Sequence, residues 1–325
     1  MINDEVKNVD LFDMDADDAS LSFLDKKSSN KDGIYRPNIK DAKDKTKGYI
    51  ATIRFLPNLL EDGSVGPSAL EKFQHYAKLL DNPGLAGYYD CGKNKEPKCD
   101  ICTTFWKLKN SKNQAEVERS ELIKRSAKYY SYIQVIEDVQ HPELVGKVLI
   151  YSYGVKIKDK INLEKTGEVS GEKCNVFDLA NGKDFRLILK QVGDYQNYDA
   201  SSFREKSAIK IFDEKSGKMK EIPTEFDDAK GKNVITNQKF QKMVKEYLVK
   251  RDVELSEFEA KDWTDEDRGK ISQIIDIVLG NDISAASSSI KSGGNSSKPG
   301  KKASFEESEN DEDIDNFFED ADEDQ

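Results

Sequence analysis

The chain has 325 residues, of which 36% are hydrophobic and 35% are charged, and its formal net charge is −11. This composition is too polar for a chain that is globular throughout, so we expect long solvated segments around one large or two modest domains. No apolar run reaches about 18 residues, which argues against a membrane-spanning helix. The N-terminus lacks the basic and apolar regions of a signal peptide, so we expect a soluble, cytoplasmic protein.

The charge is distributed unevenly along the chain. Residues 1–25 carry −7 and residues 306–325 carry −12, so the body between them carries +8. A basic body attracts polyanions, whereas acidic ends repel them or compete for the same surface. The composition shifts predict a flexible arm at residues 1–47, a core at 48–283 with an inserted subdomain at about 65–128, a linker at 284–305 and an acidic tail at 306–325.

The predicted elements begin with a strand at Tyr49–Leu56, which Pro57 ends. A helix is predicted over residues 68–80, because Leu70, Phe73, Ala77 and Leu80 are spaced three and four residues apart. Further helical segments are predicted at 103–109, 111–126, 237–250 and 265–279.

A β-rich part begins at residue 129, with strands predicted at 129–136, 147–153, 174–179 and 185–192. Asn181-Gly182 is a typical two-residue hairpin turn between the last two strands. With the first strand this makes about five short strands, which favours a five-stranded Greek-key barrel of the OB type. The subdomain at about 65–128 would be an insertion in this barrel, and the predicted helices would flank it. Residues 213–235 are expected to be an irregular, charged connection.

Three of the four cysteines fall within twelve positions, at Cys91, Cys99 and Cys102. The Cys99-x-x-Cys102 pair has the spacing at which a tight turn presents two thiolates to one tetrahedral zinc ion. Cys91 closes a lysine-rich loop onto the same point. The subdomain at about 65–128 is therefore predicted to be a metal subdomain that binds zinc. The turn Asp81-Asn82-Pro83-Gly84 could bring His75 back as the fourth ligand. Other candidates for the fourth ligand are His141, Cys174, Asp90 and Asp100. A redox pair or three ordinary buried thiols would also account for these cysteines.

Aromatic and cationic residues alternate through the β-rich part. Along residues 185–192, Arg186 and Lys190 alternate with apolar residues, which places the two cations on the solvent face. Unpaired bases stack on aromatic rings while Lys and Arg follow the phosphates, so a single-strand cleft needs both. The candidate DNA contacts are Tyr129, Tyr130, Tyr132, Tyr151, Tyr153, Tyr195, Tyr198, Lys124, Arg125, Lys128, Lys156, Lys158, Arg186 and Lys190. The alternative for each tyrosine is a place in the core.

Catalysis is disfavoured by the sequence. Gly87–Lys93 matches the first part of a phosphate-binding P-loop, but Asn94 stands where a hydroxyl residue would hold magnesium. Only two histidines are present, and no nucleophile elbow appears.

The sequence resembles the T-even phage single-stranded DNA-binding proteins, the replication helix-destabilising family. The resemblance covers residues 49–210 and rests on Ile53-Arg54-Phe55-Leu56-Pro57, Cys91…Cys99-x-x-Cys102, Gly146-Lys147-Val148…Tyr151-x-Tyr153-Gly154, Asp159-Lys160-Ile161-Asn162, and Lys190-Gln191-Val192…Tyr195-x-Asn197-Tyr198-Asp199.

This resemblance implies an OB-fold core and one structural zinc ion held by His75, Cys91, Cys99 and Cys102. It implies DNA contacts at Tyr129, Tyr151, Tyr195 and Tyr198, whereas two further family tyrosines are replaced by Ser111 and Ser120. The family's basic arm for cooperative self-association corresponds most nearly to Lys26, Lys27, Ser28 and Ser29, which follow an acidic segment. The family's acidic tail recruits replication and recombination partners, and Ile314, Phe317 and Phe318 are the candidate anchors.

We therefore expect a non-enzymatic protein that coats single-stranded DNA without sequence specificity in phage replication, recombination and repair. The alternative is a zinc-knuckle adaptor that binds protein or RNA.

Overall fold

The computed structural model describes residues 33–281, apart from positions 45, 80, 170, 193–194 and 214–215. The predicted linker and acidic tail lie outside the described residues, as do the candidate anchors and self-association residues Ile314, Phe317, Phe318, Lys26, Lys27, Ser28 and Ser29. The described part is mainly β-structure with five α-helices, which confirms the mixed, mainly β class. None of the described helices has the length and apolar composition needed to cross a membrane.

The strands, in chain order, are β1 (Ile34–Tyr35), β2 (Tyr49–Phe55), β3 (Asn58–Leu59), β4 (Val65–Gly66), β5 (Leu70–Ala77), β6 (Gly87–Asp90), β7 (Arg125–Asp138), β8 (Val148–Tyr153), β9 (Lys183–Val192), β10 (Tyr195–Asn197), β11 (Ser202–Lys206), β12 (Lys210–Asp213), β13 (Lys218–Glu221), β14 (Glu225–Asp227) and β15 (Lys232–Val234). The α-helices are α1 (Asp100–Lys109), α2 (Gln114–Ser120), α3 (Val155–Thr166), α4 (Gln238–Leu248) and α5 (Asp265–Leu279). The strand β1 lies inside the predicted arm.

The described residues form two compact units. We call residues 33–71 with 128–259 the sheet unit, and residues 72–127 with 260–281 the cysteine unit. The cysteine unit contains most of the predicted metal subdomain.

In the sheet unit the strands are ordered β1-β8-β7-β2-β9-β10, and β11 also pairs with β9. β1 is parallel to β8, and the other neighbours are antiparallel. The strands of this path were predicted except for β1 and β10. No closed barrel is found in the described residues, so the closed Greek-key barrel is not confirmed.

The core of the sheet unit follows from the two-residue repeat of its strands. Ile53 of β2 lies opposite Phe185 of β9, and Phe55 lies opposite Ile133 of β7. All four side chains are fully buried. Each such side chain contributes roughly 1.5–3 kcal/mol through the removal of its apolar surface from water. On the opposite face, Val244 and Leu248 of α4 belong to a second buried cluster, which also contains Tyr132 and Ile150 of the sheet.

In the cysteine unit, β5 and β6 form an antiparallel hairpin in which His75 pairs with Tyr89 and Tyr76 pairs with Tyr88. The core around it contains the three clustered cysteines together with apolar side chains of α1 and α5. Thr264 caps α5, and Gly280 ends it in a left-handed conformation, which glycine adopts readily at the C-terminus of a helix.

The predicted helix over residues 68–80 is wrong, because residues 70–77 form β5. Leu70, Phe73 and Ala77 fit a helical spacing, but hydrogen bonding to β6 determines the outcome. The two-residue repeat places Phe73, His75 and Ala77 on one face of the strand, which points the imidazole at the cysteines.

The predicted strand at 174–179 and the hairpin at Asn181-Gly182 are also wrong. The side chain of Asn175 accepts a hydrogen bond from Phe177 N, and Asp178 accepts from Ala180 N and Asn181 N. These Asx turns coil the segment although it is buried. A Cβ at Gly182 would lie 2.4 Å from the Asp178 carbonyl oxygen, so close packing requires this glycine.

Two further elements differ from the sequence analysis. The helix α3 follows β8 directly and was not predicted, because its lysine-rich sequence has no apolar stripe. Residues 213–235 are not irregular throughout, since β12–β13 and β14–β15 form two short hairpins there.

Candidate metal centre and nucleic-acid interface

Four predicted ligands meet in the core of the cysteine unit. His75 comes from the middle of β5, Cys91 follows β6, and Cys99 and Cys102 lie at the start of α1. Their ligand atoms all lie within 4.8 Å of one another, and all four residues are buried. The Nε2 atom of His75 is 3.4 Å from Cys102 Sγ and 3.6 Å from Cys99 Sγ, and Cys91 Sγ is 3.5 Å from Cys102 Sγ. This cluster could hold a metal ion.

The orientation of the imidazole fits metal binding. Nδ1 of His75 donates to the carbonyl oxygen of Ile123 at 2.9 Å, which leaves Nε2 directed at the three sulfur atoms. Burial lowers the pKa of His75, but hydrogen bonds with Cys91 and Cys99 outweigh it and raise this pKa to about 9.

The thiols influence one another strongly. Hydrogen bonds with Cys102 and Cys91 hold the pKa of Cys99 far below its usual range. Hydrogen bonds with Cys91 and Cys99 raise the pKa of Cys102, because a second thiolate so close to the first is unfavourable. A divalent cation would remove this conflict by neutralising the thiolate charges.

The four other candidates for the fourth ligand are not part of this cluster. Asp90 forms an ion pair with Lys72, with 3.0 Å between Oδ2 and Nζ. His141 and Cys174 belong to the sheet unit. Asp100 is exposed in the first turn of α1.

Three of the predicted DNA-contact tyrosines form a stack in the sheet unit. Tyr129 of β7 lies opposite Tyr153 of β8, with ring centroids 5.7 Å apart and an interplanar angle of 25°. Tyr151 stacks on Tyr153 at 5.8 Å. All three rings are buried, and the hydroxyl groups of Tyr153 and Ser131 are hydrogen-bonded at 2.9 Å.

Tyr130 and Tyr132 point to the other face of β7. Tyr132 is buried in the apolar cluster beside α4, and Cζ of Arg251 lies 4.2 Å from its ring centroid. The half-buried Tyr130 packs on Phe258 at 5.0 Å. The structure therefore does not place these two rings with the Tyr129 stack.

One lysine of α3 lies next to this stack, and two others contact an aspartate. Nζ of Lys158 lies 5.0 Å from the ring centroid of Tyr129, a cation–π contact. Nζ of Lys156 is 3.2 Å from Oδ1 of Asp199, and Nζ of Lys160 donates to the Asp199 carbonyl oxygen at 3.2 Å.

Two further candidate tyrosines lie near this aspartate in the sequence. Tyr198 precedes Asp199 directly and is buried. Tyr195 lies in β10, where it pairs with Val192 of β9.

The remaining candidate cations divide between the two units. Arg186 and Lys190 are exposed on β9, opposite its buried apolar face, as the alternation predicted. In the cysteine unit, Lys124 pairs with Glu121 and Arg125 lies over a phenylalanine ring of β5. Lys128, on the sheet unit's part of β7, is half-buried.

The sequence analysis missed one accessible aromatic pair. Tyr76 and Tyr88 face each other across the β5–β6 hairpin with ring centroids 4.7 Å apart, and Tyr88 is 43% exposed. Their cross-strand pairing could have been found only if residues 70–77 had been interpreted as a strand.

A buried thiol–imidazole cluster together with a basic, aromatic β-sheet is typical of nucleic-acid-binding proteins that carry a metal subdomain. The chain belongs to the family described as gp32 DNA binding protein like, which it matches over residues 48–258. This match confirms the resemblance found in the sequence.

Two curated relatives support the assignment. The chain is 32% identical over 173 residues to the single-stranded DNA-binding protein of Enterobacteria phage T2, and 31% identical over 173 residues to that of Enterobacteria phage T4. Each match covers 51% of this chain and 54% of the relative. The chain thus spans about half the length of the curated relatives it matches.

Proposed function

We propose that this protein binds and coats single-stranded DNA without sequence specificity during phage DNA replication, recombination and repair. The observation that carries the proposal is the contact of Lys158 with the Tyr129 ring, on a helix that also carries Lys156 and Lys160, in a region that lies within the family match. Lysines provide phosphate contacts and aromatic rings provide stacking surfaces, so this arrangement suits unpaired nucleotides. The role is binding rather than catalysis, and we place it in the host cytoplasm.

The structure suggests how the aromatic residues divide this task. Because Tyr129, Tyr151 and Tyr153 are buried, a base could stack on them only after the side chains that cover them had moved, and Lys158 is one of those over Tyr129. Tyr76 and Tyr88 already present an accessible ring pair, and we include them among the DNA contacts. The OB-type fold remains part of the proposal, supported by the path β1-β8-β7-β2-β9.

We propose zinc as the metal and a structural role for it. Three thiolates and one imidazole form the closed, soft donor set that tetrahedral zinc prefers, and four protein ligands leave no open position for substrate. His75, Cys91, Cys99 and Cys102 would hold the ion, which would fix β5, the loop after β6 and the start of α1 relative to one another.

The terminal segments have proposed roles that follow from charge and family membership. The acidic residues 306–325 would recruit replication and recombination proteins, with Ile314, Phe317 and Phe318 as anchors. Lys26, Lys27, Ser28 and Ser29 would support self-association along the DNA.

The test is titration of a fluorescent single-stranded DNA oligomer at several salt concentrations, with a duplex of the same sequence as the control. We expect tight single-strand binding that weakens steeply with salt, and weak duplex binding. Equal or negligible binding to both would refute the coating function and favour the adaptor alternative.

A further inference from the structure

We propose that Asp199 is an internal competitor for DNA phosphate, a residue that sets the affinity of the α3 lysines for the strand. This inference rests on the proposed function. Oδ1 of Asp199 lies 3.2 Å from Nζ of Lys156, and its carbonyl oxygen accepts from Nζ of Lys160 at 3.2 Å. The two lysines are four residues apart on α3, so both ammonium groups meet one residue on the same side of the helix.

Asp199 is held in place by its own loop. Nδ2 of Asn197 donates to Oδ2 of Asp199 at 2.6 Å, and Asp199 N donates to Oδ1 of Asn197 at 2.8 Å. Hydrogen bonds from Asn197 and Lys156 keep the pKa of Asp199 below its ordinary value. The carboxylate is therefore ionised at neutral pH and occupies the place at Lys156 that a phosphate oxygen would take, while the backbone carbonyl of the same residue holds Lys160 beside it.

The competitor can be displaced because it is exposed. The side chains of Lys156 and Asp199 are 41% and 63% exposed. An exposed ion pair shifts an equilibrium by at most about fivefold, so a DNA phosphate can replace this carboxylate.

The test compares wild type with Asp199→Asn in single-stranded DNA titrations across a salt series. Asparagine keeps the shape and the contact with Asn197 but removes the charge. We expect binding to tighten by about two- to fivefold at low salt, the range for the loss of one exposed ion pair. The slope of log affinity against log salt should steepen by about 0.7, the value for one more phosphate neutralised on a single strand.

Two variants isolate the local effect. In a Lys156→Gln/Lys160→Gln background, which should itself weaken binding, Asp199→Asn should no longer change the affinity, because the competition needs the lysines. Glu172→Gln is the matched control, since it removes an equal charge from another exposed ion pair of the sheet unit, with Lys206 at 2.6 Å. It should leave the affinity and the slope unchanged.

The outcomes separate this inference from the proposed function. If wild type binds single strands in a salt-dependent way but Asp199→Asn does not bind more tightly, the internal competitor is refuted and the coating function stands. Equal tightening in the glutamine background, or in Glu172→Gln, would show a general charge effect and would also refute it. If wild type does not bind, the proposed function itself fails. An unchanged unfolding midpoint for Asp199→Asn confirms that folding is not the cause.

Discussion

Replacing Arg54 by methionine should destabilise the sheet unit by roughly 3–5 kcal/mol, because it removes one member of a buried ion pair. Arg54 is 1% exposed at the centre of the sheet, and its cross-strand partner Asp184 is 4% exposed. Nη1 of Arg54 lies 3.3 Å from Oδ1 of Asp184. The guanidinium also donates to the carbonyl oxygens of Asp178 and Ser207, at 2.8 and 3.0 Å.

The size of the effect reflects what the substitution leaves behind. The carbonyl oxygens of Asp178 and the half-buried Ser207 each lose one donor, at a cost of about 1 kcal/mol each, although Gly182 N still donates to Asp178. Asp184 keeps Lys210 as an ionic partner, which lowers the cost of its lost pairing. The double variant Arg54→Met/Asp184→Asn should recover at least about 1 kcal/mol of the sum of the single effects, since the two residues interact directly.

The assay is urea unfolding followed by two probes. Both tryptophans, Trp106 and Trp263, lie in the cysteine unit, so tryptophan fluorescence reports that unit. Far-UV circular dichroism follows the secondary structure of both units together. A loss of this signal that precedes the change in tryptophan fluorescence therefore reports unfolding of the sheet unit.

A loss below about 1 kcal/mol for Arg54→Met, with no coupling to Asp184, would contradict this account of the pair. It would mean that water replaces the guanidinium without cost and that this part of the sheet is not sealed from solvent.

Three other predictions concern metal binding, DNA binding and the acidic tail. Cys102→Ser should lower the bound zinc per chain and the fluorescence-detected unfolding midpoint, because one of four ligands is weakened; Cys174→Ser, outside the cluster, is the control for metal analysis. Tyr88→Ala should weaken single-strand binding by about 1–3 kcal/mol in the oligomer titration, because an accessible stacking ring is lost, whereas Tyr88→Phe should bind normally. Deleting residues 306–325 should tighten binding at low salt in the same titration, because −12 of charge no longer repels the strand.

Each of these has a clear opposite result. Full zinc content in Cys102→Ser would exclude that sulfur as a required ligand. A change of only a few tenths of a kcal/mol for Tyr88→Ala would make the ring pair a bystander. Unchanged affinity after deletion of the tail would rule out its competition for the DNA surface.

The main strands of the sheet unit could be predicted because their apolar and aromatic residues do not follow the three- and four-residue spacing of a helix. Residues 70–77 show the limit of such patterns. Leu70, Phe73 and Ala77 fit a helical spacing, and only pairing with β6, a non-local contact, makes the segment a strand. The strand predicted at 174–179 was wrong for a related reason. The side chains of Asn175 and Asp178 accept hydrogen bonds from nearby backbone N–H groups, and these bonds compete with strand pairing.

The candidate site was predictable where chemistry alone restricts it. Three closely spaced cysteines and one histidine predict a cluster that could hold a metal ion, whatever element carries them. The tyrosines are different, because the side on which a ring lies depends on strand register. Tyr129 and Tyr130 must lie on opposite faces of β7 because they are neighbours in a strand, but the sequence does not show which face carries the Tyr129 stack.

The parallel pairing of β1 with β8 affects how the N-terminal arm can be studied. Ile34 and Tyr35 cover the outer edge of β8 at Ile150 and Tyr151. Deleting them would expose a row of backbone N–H and C=O groups, which is a template for edge-to-edge aggregation. Any oligomers formed by such a truncation would reflect an uncovered sheet edge rather than the arm. Deletions meant to test self-association should therefore end before Gly33.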